Sequence, residues 1–291
     1  MKDALRLLVY FAAVLLVGAL LAPVLFWSAQ PLVGMVPALA KVDFESFFHR
    51  ALLVAALALL WPLLRAVRVR SIADLNLEKN PAWLRHGTLG FLFAAIPLLC
   101  CGAAAIAFHV YSLRGTVDFA KILQVIGAAA VVPFLEEAFF RGLLLGVLLR
   151  SGQKYMSILI TSAFFSIIHF LKAPEQTSTI VTWTSGFHSI ANSLAQFTDP
   201  MLVAASFTTL FLLGWILGDA RVRTRSLWMP IGLHAGWILS AGVFNKIARR
   251  QMLALPWLGK SLLVGLAPLL VALITWLLVL VWLKYERTRN Y

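Results

Sequence analysis

From Ile122 to Leu149 the chain runs ILQVIGAAAVVPFLEEAFFRGLLLGVLL, and its only charges are Glu136, Glu137 and Arg141. Wound as a helix, such a run exceeds the roughly 30 Å of hydrocarbon in a bilayer. Similar charge-poor stretches recur at about 6–28, 50–66, 88–109, 155–172, 200–218, 227–245 and 261–283. A soluble domain holding all of them would lack the polar surface to cover them. Composition agrees, with 61% hydrophobic and 13% charged residues, against about 25% charged in a typical soluble domain. The expected architecture is all-α: a polytopic transmembrane helical bundle of about eight spans, with residues 1–291 forming a single integral membrane domain. The first run is too long for the apolar core of a cleavable signal peptide, about 7–15 residues, and is read as a retained helix.

The net charge of +13 does not point to nucleic acid, because the basic residues are spread over the ends of the apolar runs. With the N-terminus placed in the cytoplasm, 15 of the 25 Lys and Arg fall on the cytoplasmic side and 9 on the other, leaving Arg141 within the membrane. That bias follows the positive-inside rule and puts both termini in the cytoplasm. The segment from Lys246 to Lys260 fits least well, with four basic residues on the opposite side. The expected partners are the lipid bilayer, whose anionic headgroups the basic loops meet, and a membrane-anchored protein or peptide substrate. Cys100 and Cys101 are adjacent, which is too close for an ordinary structural disulfide, and are read as small packing residues.

Ten of the twelve acids lie in or beside the expected loops and termini; Glu136 and Glu137 do not. An ionisable group in the hydrocarbon layer costs a few kcal/mol at least, so it marks function by default. Arg141 follows Glu137 by four positions, so the two share a helix face and can pair. Glu136 points about 100° away, which leaves it free to face the bundle interior. Gly142 and Gly146 form a G-x-x-x-G pair, expected to admit a neighbouring helix closely. Two histidines, His169 and His234, lie within the fifth and seventh stretches. Counted from the basic markers at the cytoplasmic ends, Glu136, His169 and His234 fall roughly 21, 22 and 13 Å deep. Three titratable groups from three helices thus approach one layer.

The set Glu136-Glu137-x-x-x-Arg141, Phe165-x-x-x-His169 and His234 resembles the CAAX protease and bacteriocin-processing (CPBP) family of intramembrane proteases. The likeness covers about residues 122–245, where the catalytic helices are expected. It implies that Glu136 activates a water while His169 and His234 orient it and stabilise the oxyanion. Glu137 and Arg141 would support them, with Phe165 and Trp237 alongside. The family often carries Asn four residues after the second histidine; here that position is Ile238, which has no donor to offer.

The residues admit the same chemistry on their own. Peptide hydrolysis needs an activated water, an oxyanion contact and a proton for the leaving amine. One glutamate and two histidines are also a catalytic zinc set. No cofactor is expected, although a zinc ion on Glu136, His169 and His234 stays open. The reading is an intramembrane endopeptidase hydrolysing a peptide bond of a membrane-associated protein. The alternative is a proton-coupled transporter or a non-catalytic membrane partner using the same Glu/His layer. The bacterial inner (plasma) membrane is favoured over the endoplasmic reticulum.

Overall fold

A computed structural model of the protein describes residues 2–36, 39, 42–75, 77–170, 180–198, 200–252, 257–258, 262–263 and 265–289. Lys41, Lys172 and Lys260, three of the nine basic residues assigned to the far side, lie outside these residues, as do the expected span ends at 171–172 and 261.

Helix occupies every charge-poor stretch. The elements are α1 (Lys2–Ala29), α2 (Phe44–Ala66), α3 (Trp83–Ala107), α4 (Phe119–Glu137), a π-helical segment (Ala138–Leu144) and α5 (Leu145–Leu149). Then come α6 (Lys154–Phe170), α7 (Ser185–Ala195), the short α8 (Pro200–Leu202), α9 (Thr208–Thr224), α10 (Trp228–Ile247) and α11 (Leu266–Arg289). Five helical stretches are long and apolar enough to cross a bilayer: Lys2–Leu32, Phe44–Ala66, Trp83–Ala107, Phe119–Leu149 and Leu266–Glu286. Lys154–His169 is apolar but shorter. The protein is therefore a multi-pass integral membrane protein. Helix α9 carries Asp219, Arg221 and Arg223, and α10 carries His234, Asn245 and Lys246; these polar groups dilute the apolar signal.

The chain divides into two compact units, residues 1–72 with 168–200 and residues 73–167 with 201–291. In the first, α1 and α2 are antiparallel. Tyr10 donates its hydroxyl to the Ala56 carbonyl at 2.8 Å, and Phe26 meets Phe44 and Phe47 edge-on near the other end. Asp43 starts α2 by accepting the Ser46 N–H at 2.9 Å, which satisfies one of the donors that a helix start leaves open. Helix α7 has no counterpart among the expected elements, because at 11 residues it is too short for a span-length filter. It packs on α1 at Gly186, where a side chain would collide with the Ala19 backbone. Ser189 on α7 donates to the buried Glu45 carboxylate at 3.0 Å.

In the second unit α3 and α10 run parallel and touch backbone to backbone. A Cβ on Gly90 would lie 2.6 Å from the Met229 carbonyl oxygen, and one on Gly236 2.5 Å from that of Phe91. Small residues allow this approach, and apolar packing in lipid rewards it. A short antiparallel ribbon, β1 (Tyr111–Leu113) with β2 (Ala248–Arg250), ties the far ends of the two helices together. Helix α4 runs against α10, with Val125 close to Gly242 and Phe134 against Trp228. Helix α6 runs against α9, with Ile158 beside Gly218 and Ser162 beside Gly214. The G-x-x-x-G expectation needs correcting. A side chain on Gly142 would find ordinary space, and Gly146 lies against the backbone of Leu75, the last residue of a 3-10 turn, so among the described residues the pair admits no spanning helix. A tight glycine crossing does occur along the seam of α3 and α10.

Candidate active site

Helix α4 ends on Glu136 and Glu137, and the chain widens at once into the π-helical turn Ala138–Leu144. Such segments recur at functional sites because the extra residue re-aims side chains. Glu137 and Arg141 are both fully buried and joined at 2.9 Å, Nη1 to Oε1, as the spacing predicts. A buried guanidinium needs more than one partner to offset its lost hydration. Arg141 also donates to the Gly214 carbonyl at 3.3 Å. It lies 4.4 Å from the Phe165 ring centre and 5.6 Å from that of Phe140, within cation–π range.

The same Glu137 oxygen accepts from His234 Nδ1 at 2.8 Å. A carboxylate only accepts, so Nδ1 carries the proton, and the carboxylate thereby selects the tautomer. The ring's other nitrogen, Nε2, is then directed at the second acid, 3.8 Å from Glu136 Oε2. Phe165 packs edge-on to the imidazole with centroids 6.0 Å apart. The two acids differ sharply in access: the Glu137 side chain is 0% exposed and that of Glu136 is 28%. One glutamate is sealed into a network with Arg141 and His234, while its neighbour is partly exposed, with the Oε2 that faces His234 buried.

Within the second unit the structure thus gathers Glu136, Glu137, Arg141, Phe165 and His234. His169 stands one turn beyond Phe165 on α6, half-buried, and falls in the first unit, which resumes at Ile168. Trp237 is buried in the apolar cluster with Leu98, Leu217 and Leu233. Ile238 is half-buried. Among the described residues no group of three or more His, Cys, Asp or Glu is placed to hold a metal ion.

One contributor escaped the sequence reading. Arg221, counted there as a cytoplasmic loop residue, is 1% exposed. It donates from Nε to the Arg141 carbonyl at 3.1 Å and from Nη2 to the Leu75 carbonyl. A signal was present in Asp219-x-Arg221-x-Arg223. The i,i+4 pair Asp219–Arg223, 2.7 Å apart, uses the only acid, and Arg221, two residues on, must face elsewhere.

The described geometry is a sealed Glu–Arg–His network beside a partly exposed glutamate, on membrane helices. Residues 118–240, somewhat less than half of the chain, match the family described as type II CAAX prenyl endopeptidase Rce1-like. The matched segment contains every site residue named above, and it upholds the resemblance drawn from the motifs. That family is one of intramembrane endopeptidases, so the match supports a peptide hydrolase. No curated protein and no solved structure matches the chain.

Proposed function

We propose that the protein hydrolyses a peptide bond of a membrane-anchored protein with Glu136 as general base and His234 and His169 as its partners. The observation that carries this reading is the 3.8 Å separation of Glu136 Oε2 from His234 Nε2. With the proton of the neutral ring held on Nδ1 by Glu137, Nε2 offers a lone pair. A water at ordinary hydrogen-bond length from both atoms can donate one O–H to each, which aims its oxygen lone pairs away from them toward a carbonyl carbon. Glu136 takes the proton as the water attacks and passes it to the leaving amine. The family resemblance gives His169 the oxyanion role, one that Ile238 cannot fill because it has no donor. Glu137 and Arg141 fix the imidazole and take no proton.

The family match and the difference in exposure between the two acids support this assignment. Anchored substrates suit a base held among membrane helices, and the reading places the protein in a bacterial inner (plasma) membrane. The test uses purified protein in lipid nanodiscs with a fluorogenic, lipid-anchored peptide. Cleavage that disappears in both His169→Ala and Glu136→Gln, while the variants stay folded, upholds the scheme. Cleavage that survives either change overturns it. Added chelator reports on a zinc ion at Glu136, His169 and His234: loss of cleavage on chelation, restored by zinc, replaces the water activated by glutamate alone with a metal-bound one.

A further inference from the structure

Between the start of α1 and the end of α2 lies an open groove of about 360 Å³. Leu5, Val9 and Ala13 of α1 line it from one side and Leu59, Pro62 and Ala66 of α2 from the other. It runs from Leu5 to Ala13, about 12 Å along the helix axis. Two sequence features open it. Ala13 and Ala66 are too small to close the gap, and Pro62 interrupts the backbone ladder of α2. The rest of the hairpin is tightly packed: Ala19, Ala22 and Ala51 are fully buried, and a side chain on Gly18 would press on Leu52. The groove is therefore local.

Its lining is apolar except at the mouth, where Arg6 forms part of the wall. Because the helices are antiparallel, the start of α1 and the end of α2 share one end of the hairpin. Lys2, Arg6 and Arg65 fall at that end of the two helices, Arg68 and Arg70 follow directly, and Asp3 is the acid among them. Arg6 bonds Asp3 at 2.7 Å but keeps 39% of its side chain exposed. Arg65 lies over the Trp61 ring at 3.9 Å, so its charge is held at the membrane edge. An apolar slot between two spans, closed at its head by an excess of positive charge, matches a molecule with an acyl chain and an anionic head. Basic pockets between membrane helices recognise such lipids.

We infer that this groove is a binding site for one anionic phospholipid of the surrounding bilayer, with an acyl chain in the slot and the phosphate on Arg6. A neutral zwitterionic lipid fills the slot equally well but gains less at the head, so selectivity rests on Arg6 and its neighbours. Asp3 competes with the phosphate for Arg6. The site lies apart from Glu136 and its partners in sequence and does not depend on the proteolytic reading.

Native mass spectrometry of the full chain tests this, with palmitoyl-oleoyl phosphatidylglycerol and the matching phosphatidylcholine added to the detergent-purified protein. The expected result is one phosphatidylglycerol retained per chain in preference to phosphatidylcholine. Arg6→Gln should reduce that preference about fivefold, and Asp3→Asn should increase it, a gain that misfolding cannot produce. Ala13→Phe and Ala66→Leu fill the slot from opposite helices, and both should lower retention of either lipid while thermal unfolding stays near wild type. Soluble glycerophosphoglycerol carries the head without the chain and should not bind; if it binds as well as the lipid, the site is for phosphate alone. Equal retention of the two lipids by the wild-type chain, or unchanged retention in both slot-filling variants, overturns the assignment.

Discussion

Arg221 Nε donates to the backbone carbonyl of Arg141 across 3.1 Å. The acceptor lies in the middle of the π-helical turn, where widened backbone spacing disturbs the regular i→i−4 ladder. A guanidinium from α9 thus braces the segment that carries the Glu137–Arg141 pair, and its second donor fastens the Leu75 carbonyl to the same point. Arg221→Met removes both donors and leaves two carbonyls short of a partner, each worth about 1–3 kcal/mol if buried. The expected outcome is a clear fall in the thermal midpoint and in kcat. Arg221→Lys keeps the charge without the planar fork and should recover less than half of either loss, as differential scanning fluorimetry and peptide cleavage would show.

Glu136→Gln preserves size and polarity but cannot accept a proton. Cleavage should fall by two to four orders of magnitude, the usual contribution of a positioned general base, with the thermal midpoint almost unchanged because the side chain is partly exposed. Turnover within a few fold of wild type would remove Glu136 from the role of base.

Glu137 and Arg141 form a buried pair, and loss of one partner strands the other. Arg141→Met and Glu137→Gln should each destabilise by about 3–5 kcal/mol. The double variant should recover part of that stability without recovering activity, since Gln at 137 no longer fixes the His234 tautomer. A double-mutant thermal cycle with additive losses would argue that the pair contributes nothing.

Ile238→Asn introduces a donor one turn after His234. A well-placed oxyanion donor is worth about 2.7–4 kcal/mol, and the contact proposed for His169 leaves only part of that to gain. The expected change is about a tenfold rise in kcat with KM little altered. A lower midpoint with no gain in rate would show that position 238 faces packing or lipid.

Asp43 provides a pH-dependent prediction outside the membrane. The hydrogen bond from Ser46 holds its carboxyl below the usual carboxylate range. A depressed folded value means that the cap's contribution, about 1 kcal/mol, is complete above the unfolded pKa and is lost as pH falls through the folded one. Asp43→Ala should therefore lower the midpoint at pH 7 and make little difference at strongly acidic pH. An equal effect at both would show that the cap does not act through its charge.

Helix class and the two ends of the site were legible because they rest on simple physics. Span-length apolar runs require helices, and charges within such a run require partners. Glu137 and Arg141 could be paired from their spacing alone. The bond from Glu137 to His234 could not, since it depends on how α4 and α10 cross, and no local pattern encodes a crossing. Arg221 was hidden because a basic residue at the end of an apolar run is ordinarily a headgroup contact. The glycines misled at 142 and 146, where only one meets a close neighbour, and the productive glycines at 90, 232 and 236 are split between two distant segments. Helix α7 is short and half-polar, and it needs α1 and α2 to exist as a packed element.

The seam between α3 and α10 determines which side of the site can open. With the backbones in contact along Gly90, Gly232 and Gly236 and their far ends stitched by the β1–β2 ribbon, α10 has no slack in that direction. His234 is therefore the stationary jaw. If Glu136 and His234 act on a peptide as proposed, the side left to give way includes α4. That helix carries Pro133 one turn before Glu137, a built-in break in its own ladder. On that reading, admission of substrate and withdrawal of the base would be a single movement, and the 3.8 Å pairing of Glu136 with His234 is the arrangement at rest.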